Sequence, residues 1–402
     1  MIKKHSGQIE TKAIFPLLAI IMLTGLGGLL LSKASLNISF LIIAIFVFAV
    51  ISFLSSEIAL YLLIISMLLS PEFMVGGLVG GGATAGRGVT IRFDDFLMVV
   101  IGLGWFLKTA IQKELGIFLK TPLNKPIAYY IIVCLIATLF GFMTGRVKLL
   151  TGLFFVLKYF EYFIVYFMAV NYLKEKKQME RFIALMLAVC FVICVVAIIQ
   201  IPAGGRVTAP FEGAAGEPNT LGGYLVLMLS LALGLLLTED STKHKKLLVL
   251  LIFMIGTSLL ATLSRSSWLA VAPMLIALIY YGKKKMVLIV PLIIVVLISP
   301  FVLPHAVKER ALYTVTQREH AGQIEVGGVR IDTSTSARIN SWKNVLTKDF
   351  IKHPVIGYGV TGYSFVDAQY PRVLVETGII GLTAFLFLLY SIYKNALYTY
   401  RN

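Results

Sequence analysis

The feature that most constrains this chain is the recurrence of long apolar runs separated by short polar ones. A helix needs about 20 largely apolar residues to cross the hydrocarbon core of a bilayer. Twelve runs approach or reach that length: residues 14–32, 38–54, 58–70, 96–107, 127–142, 153–172, 182–201, 220–237, 247–263, 268–281, 286–303 and 377–393. Those at 58–70, 96–107 and 268–281 are short and must borrow flanking residues or tilt. Hydrophobic residues make up 58% of the 402 and charged residues only 14%, where a soluble domain carries about a quarter charged. Water-soluble folds cannot bury so much apolar surface. The expected fold class is an all-α polytopic membrane protein of about 12 transmembrane helices, a single integral membrane domain over residues 1–402.

Charge sets the orientation. The net charge of +16 is a topology signal in such a chain, not a nucleic-acid footprint, because short cytoplasmic loops collect Lys and Arg. With the N-terminus in the cytoplasm and strict alternation, the inside segments hold nineteen Lys and Arg and the short outside segments seven. A lost span would scramble that asymmetry, so both termini are expected inside. Residues 1–12 are basic, but the apolar run that follows has no clear small-residue cleavage site, so the first span is expected to stay. Cys134, Cys190 and Cys194 all fall inside apolar runs and read as core filler. The five histidines show no metal-ligand spacing, and no Walker-type loop is present, so neither metal nor cofactor is expected.

Inside loops are short Lys clusters, whereas outside loops carry Gly, Pro, Arg and acidic residues. The largest, residues 304–375, is too long for a plain connector, and loops of that length are usually functional or disordered. Over residues 337–352 the apolar positions Ile339, Trp342, Val345, Leu346, Phe350 and Ile351 form a helical stripe opposite Arg338, Lys343, Lys348 and Lys352. That pattern suits a helix lying in the membrane interface with its cations toward lipid head groups, ended by His353-Pro354. The Gly-rich stretch 76–82 reads as a flexible loop.

Three Arg-bearing fragments share the expected outside face. Arg206 precedes Glu212, Glu217 and Pro218-Asn219, a turn feeding a helix. Free N–H groups at a helix start beside a guanidinium make a good diphosphate cradle, and an Arg–Glu surface pair is the equal alternative. Arg265, in Ser264-Arg265-Ser266 before Trp268, sits in a hairpin too short to solvate it freely. Arg338 and Trp342 lead to Gly357-Tyr358-Gly359. These glycines match a dinucleotide fingerprint in letters only; no strand or βαβ unit precedes them, and they read as turning the loop back toward the last span. Asp367, Tyr370, Arg372 and Glu376 lead into that span. Asp367 is the candidate general base, and Glu376 reads as a helix-start residue. Inside the sixth span, Lys158 and Glu161 stand at i, i+3, read as an intrahelical pair.

In Glu217-Pro218-Asn219-Thr220-Leu221-Gly222-Gly223-Tyr224, in residues 262–270, in Arg338 to Trp342 followed by His353-Pro354-Val355-Ile356-Gly357-Tyr358-Gly359, and in residues 375–382, the chain resembles the O-antigen ligase and polymerase superfamily of bacterial envelope glycan assembly. The resemblance covers roughly the second half. The first half agrees in span spacing and in Arg92-Phe93-Asp94-Asp95. It implies a membrane-embedded, metal-independent glycosyltransferase of the GT-C type. Such enzymes move undecaprenyl-diphosphate-linked glycan onto a glycan or lipid-glycan acceptor at the outer face of the cytoplasmic membrane, with flippase and chain-length-regulator proteins as partners. Carried over, it makes Arg206 and Arg265 catalytic with Asp367, and Arg338, Arg372, Tyr370, Glu217 and Asn219 substrate-binding. Asp367 and Ala368 stand where ligases commonly carry His and Asn, while Tyr370 matches. The resemblance thus implies polymerisation ahead of ligation. A transporter or flippase, the reading from another class, would call for matched broken helices near mid-bilayer, a pattern not found in the sequence.

Overall fold

A computed structural model describes residues 47, 50, 55–69, 72–75, 89–92, 95, 97–104, 121–210 and 216–401, apart from 319, 321, 327, 328 and 365. The expected spans at 14–32 and 38–54, the Gly-rich stretch 76–82, Phe93, Asp94 and Glu212 lie outside the described residues, save positions 47 and 50. The chain divides into two units: Met1–Ala59 with Phe96–Leu115, and Leu60–Asp95 with Gly116–Asn402. Of the first, helical residues 97–104 are the longest described stretch. The second holds the site described below.

The described residues are overwhelmingly helical: α1 (Ser56–Leu69), α2 (Asn124–Met143), α3 (Leu149–Tyr172), α4 (Lys176–Gln200), α5 (Pro218–Thr238), α6 (Thr242–Ala261), α7 (Arg265–Tyr281), α8 (Met286–Val302), α9 (His305–Thr316), α10 (Thr333–Asn344) and α11 (Gln369–Arg401). Two small antiparallel hairpins interrupt them, β1 (Glu72–Val75) with β2 (Val89–Arg92) and β3 (Glu325–Val326) with β4 (Val329–Arg330). Six helices, α2 to α6 and α11, are long and apolar enough to cross a membrane; α7 and α8 are apolar but shorter. Each coincides with an apolar run of the sequence. The described residues are consistent with an all-α membrane protein, with six candidate spans by length and composition.

Local chemistry explains the boundaries. Glu175 and Gln178 form a reciprocal capping box at the start of α4, satisfying two of its orphan N–H groups. Pro218 occupies the first turn of α5, where its missing N–H costs nothing. Between α4, α5 and α6 lies a core that includes Cys190, Cys194, Leu221, Leu225, Met228 and Ile255. All three cysteines are buried and unbridged, as filler should be. Gly222 lets α7 close on α5, since a Cβ there would collide with Ser267; membrane helices commonly meet through small residues.

The last helix is broken. Gly378 has φ +69° and ψ −168°, a conformation essentially restricted to glycine. The Tyr370 and Phe385 rings lie 5.9 Å apart, although 15 residues of continuous helix would separate them by about 22 Å. The segments on either side of Gly378 therefore fold back on each other. The loop ahead of them clasps this break: Tyr358 N donates to Val375 O at 3.0 Å, Gly359 N to Glu376 O at 2.8 Å, and Ile379 N to Pro354 O at 2.8 Å. The glycine-rich loop does turn back onto the last span. Glu376, expected at a helix start, instead ends the first segment of α11 and is buried.

Lys158 also has a partner that its local sequence does not suggest. Its ammonium lies 3.0 Å from Asp95 Oδ2, with both side chains largely buried. An ion inside a membrane helix needs compensation, and it comes here from a carboxylate 63 positions away.

Candidate active site

The 304–375 loop folds into α9, the β3–β4 hairpin and α10, which continues through a π-helical stretch Val345–Asp349 to a final turn Phe350–Lys352. The expected amphipathic helix is present, four residues longer at its N-terminus. Asp332 caps it, accepting from Ser334 N at 3.1 Å and Thr335 N at 3.2 Å, the bonds an N-cap carboxylate supplies. Leu346, Ile351 and Trp342 are exposed on it, consistent with the apolar stripe read from the sequence.

The first cluster is built on the turn between α6 and α7. Leu263 takes φ +49° there, an uncommon conformation for a non-glycine residue that costs about 1–2 kcal/mol. The turn's two carbonyls each receive a guanidinium. Arg206 Nε donates to Thr262 O at 2.9 Å, and Arg310 Nε to Leu263 O at 3.3 Å. Cations at a helix C-terminus are electrostatically favoured. Arg206 Nη2 also donates to Asn219 Oδ1 at 3.1 Å, and the same oxygen accepts from Ser264 Oγ at 2.8 Å. The end of α4, the start of α5, the end of α6 and the start of α7 are thereby knotted together. Arg206 and Arg265 consequently lie at one end of these helices. Tyr281, closing α7, meets Tyr393 near the end of α11 at 2.6 Å, marking the opposite end.

Burial, together with the positive charges of Arg310 and Arg265, lowers the pKa of Arg206 against the opposing pull of Glu217. Three guanidiniums thus feel one another. Arg265 is neutralised: Nη1 and Nη2 donate to the two oxygens of Asp332 at 2.9 and 3.0 Å, and Nη2 also reaches Ser334 Oγ at 3.0 Å. Burial alone would push the Asp332 carboxyl up, but hydrogen bonds from Arg265, Ser334 and Thr335 hold it well below the ordinary value. Among the described residues no carboxylate lies within ion-pair distance of Arg206 or Arg310. Arg310 also lies over the Tyr313 ring, 5.5 Å from its centroid. Arg206 and Arg310 thus stand at the turn beside the starts of α5 and α7, with Glu217 the described carboxylate whose charge opposes theirs at Arg206.

The second cluster surrounds the start of α11. Arg338 Nε donates to Asp367 Oδ2 at 2.7 Å. Asp367 is half-exposed, and its Oδ1 accepts no hydrogen bond among the described residues. Arg372 Nη2 donates to Tyr159 Oη at 2.9 Å, and its Nε lies 3.5 Å from Glu376 Oε2. Arg372 is thus tied to α3 and to its own helix. Tyr370 is exposed beside Asp367 in sequence. Helix α10 joins the clusters, since Asp332 and Arg338 are six residues apart, about 9 Å along its axis.

Residues 247–386, from the start of α6 to beyond the break in α11, match the family model described as O-antigen ligase. The match covers less than half of the chain and supports the resemblance to the O-antigen ligase and polymerase superfamily. No curated protein and no solved structure matches the chain. Arg265, Arg310, Asp332, Arg338, Asp367, Tyr370 and Arg372 all fall within the O-antigen ligase match; Arg206, Glu217 and Asn219 precede it. Sequence reasoning missed Arg310 and Asp332. Nothing in His305–Thr316 singles out Arg310, but Asp332-Thr333-Ser334-Thr335 is an N-cap pattern that a closer reading would find.

Proposed function

We propose that this chain transfers a glycan from a polyprenyl-diphosphate carrier to a hydroxyl of an acceptor glycan, as an O-antigen-type polymerase at the outer face of the bacterial cytoplasmic membrane. The observation that carries the reading is the pair of guanidiniums, Arg206 and Arg310, held on adjacent carbonyls of one turn without a described carboxylate partner. A diphosphate diester carries two negative charges, for which two guanidiniums are suitable partners. As the anomeric C–O bond breaks, charge gathers on the departing diphosphate. Fixed donors aimed at that charge stabilise it most where water is scarce. The guanidiniums supply the positive charge themselves, so the reading calls for no metal.

Asp367 suits the other half of the reaction. Arg338 fixes its orientation through Oδ2, and Oδ1 remains to accept the proton of the attacking hydroxyl. The acceptor oxygen bonds to the anomeric carbon with inversion, the polyprenyl diphosphate leaves, and the proton passes to Asp367. Polymerisation is favoured over ligation by Asp367 and Ala368, which occupy positions where ligases commonly have His and Asn.

The test is elongation by purified protein given lipid-linked oligosaccharide of one repeat. Wild type should yield a ladder of longer lipid-linked products. Arg206→Gln should raise the donor KM, and Asp367→Asn should lower kcat. A single transfer to a lipid acceptor, with no ladder, would convert the assignment to ligase. Absence of any transfer by folded wild type would end the proposal.

A further inference from the structure

Arg265 is, with Arg206, an arginine that the family resemblance implicates in donor binding, yet its forked face is already taken. Both terminal nitrogens grip Asp332, and one of them also reaches Ser334. Asp332 is 1% exposed and accepts four further hydrogen bonds, from Ser334 N and Oγ and from Thr335 N and Oγ1. Bidentate Arg–carboxylate pairs are among the strongest polar contacts, and separating a buried pair strands a charge. A diphosphate would have to displace the partner of Arg265 against that cost, while Arg206 and Arg310 are ready without it.

We infer that Arg265 and Asp332 form a buried rivet between the first turn of α7 and the cap of α10, and that Arg265 is a positioning residue rather than a diphosphate ligand. The inference rests on the glycosyl-transfer reading and sharpens it: donor contacts fall to Arg206 and Arg310. The rivet's task is to seat the long loop. It fastens the N-terminus of α10 to the same turn whose carbonyls hold the two donor arginines. Arg338, and through it Asp367, is then placed at a set distance along α10. A second strand of contacts supports the same seat, because Gln317 Oε1 accepts from Thr333 N at 2.7 Å. The rivet also removes one positive charge from the cluster.

The experiment uses full-length protein in detergent, with inorganic diphosphate as the binding probe and lipid-linked oligosaccharide as the substrate. The informative variant is R265Q/D332N. It removes one charge of each sign and keeps an amide–amide hydrogen bond. The new amide oxygen at position 332 can still cap α10. Diphosphate-induced thermal stabilisation and the donor KM should stay within about threefold of wild type. Arg206→Gln and Arg310→Gln should each raise the donor KM by about tenfold or more, as loss of a charged hydrogen bond does. R265K provides the converse. Lysine keeps a point charge for a phosphate but lacks the fork, so it should lose more activity than the double variant. The inference is overturned if R265Q/D332N loses diphosphate stabilisation as R206Q does, or if R265K is active while the double variant is inactive. Melting temperatures without ligand give a separate readout: each single change should lower the melting temperature and the double should recover most of the loss. Failure to recover also overturns the rivet. Wild type that neither binds diphosphate nor turns over donor would refute glycosyl transfer, leaving the melting cycle to judge the rivet.

Discussion

Gly378→Ala isolates the break in α11. The backbone at Gly378, φ +69° and ψ −168°, lies in a region that costs a residue with a side chain about 1–3 kcal/mol. A Cβ there would also run into the backbone carbonyl of Val355, which belongs to the clasping loop and cannot rotate aside as a side chain could. Relief requires opening the clasp of three backbone hydrogen bonds, from Tyr358, Gly359 and Ile379, each worth about 1 kcal/mol net. The expected loss is about 3–6 kcal/mol, a large fraction of the stability of an ordinary domain. Gly234→Ala is the control: its Cβ would meet nothing within 4 Å and its backbone is helical, so alanine should be neutral or mildly stabilising. Thermal melting of both variants in one detergent measures the difference. Opening the clasp should also mobilise residues 354–362 and reduce glycan elongation in surviving protein. Should Gly378→Ala melt within a degree or two of Gly234→Ala, the strained-hinge reasoning is wrong.

Other outcomes follow from the same geometry. Replacing Asp95 by Asn removes the carboxylate 3.0 Å from Lys158 and should cost about 3 kcal/mol, with K158M/D95L recovering most of it in the same melting assay. Because Asp332 titrates below its ordinary range, its contribution is complete above the usual Asp pKa of about 3.9 and is lost as pH falls further. The stability difference between wild type and Asp332→Asn should therefore be constant from pH 8 to 5 and shrink below about pH 4, as read by melting across pH. Leu263→Gly relieves a positive φ of 49° and should raise stability by about 1 kcal/mol or less, with elongation retained.

What the residues disclosed on their own tracks the range of the interaction responsible. Spans are written in runs of adjacent residues, so α2 to α6 appear where the apolar stretches lie, and Pro218 and Glu175 mark helix starts locally. The amphipathic stripe from Ile339 to Ile351 was legible for the same reason. Partners were not. Lys158 has an acidic neighbour one turn away in Glu161, and local spacing points to that residue and not to Asp95, which only the fold brings near. Arg310 lies in a polar stretch without a motif, and its significance comes from Leu263, 47 positions earlier. The shared end of Arg206 and Arg265 was within reach of the sequence, because both flank the ends of consecutive spans. Glu376 was misplaced because an acidic residue ahead of an apolar run ordinarily opens a helix, and here Gly378 starts a new one two residues later. Arg338 and Asp367 were each chosen as site residues, but their union at 2.7 Å depends on how a seventy-residue loop folds.

Helix α10 behaves as a ruler. Its cap is pinned to the α6–α7 turn and Arg338 holds Asp367, so under the proposed reaction the gap between departing and arriving sugars is set by helical pitch rather than by a pliable strand. Inserting two residues between Asp332 and Arg338 would swing that arginine to the far side of the helix. Inserting four would return it to nearly the same side, about 6 Å further on. The spacing between the two clusters is thus gauged in turns of α-helix.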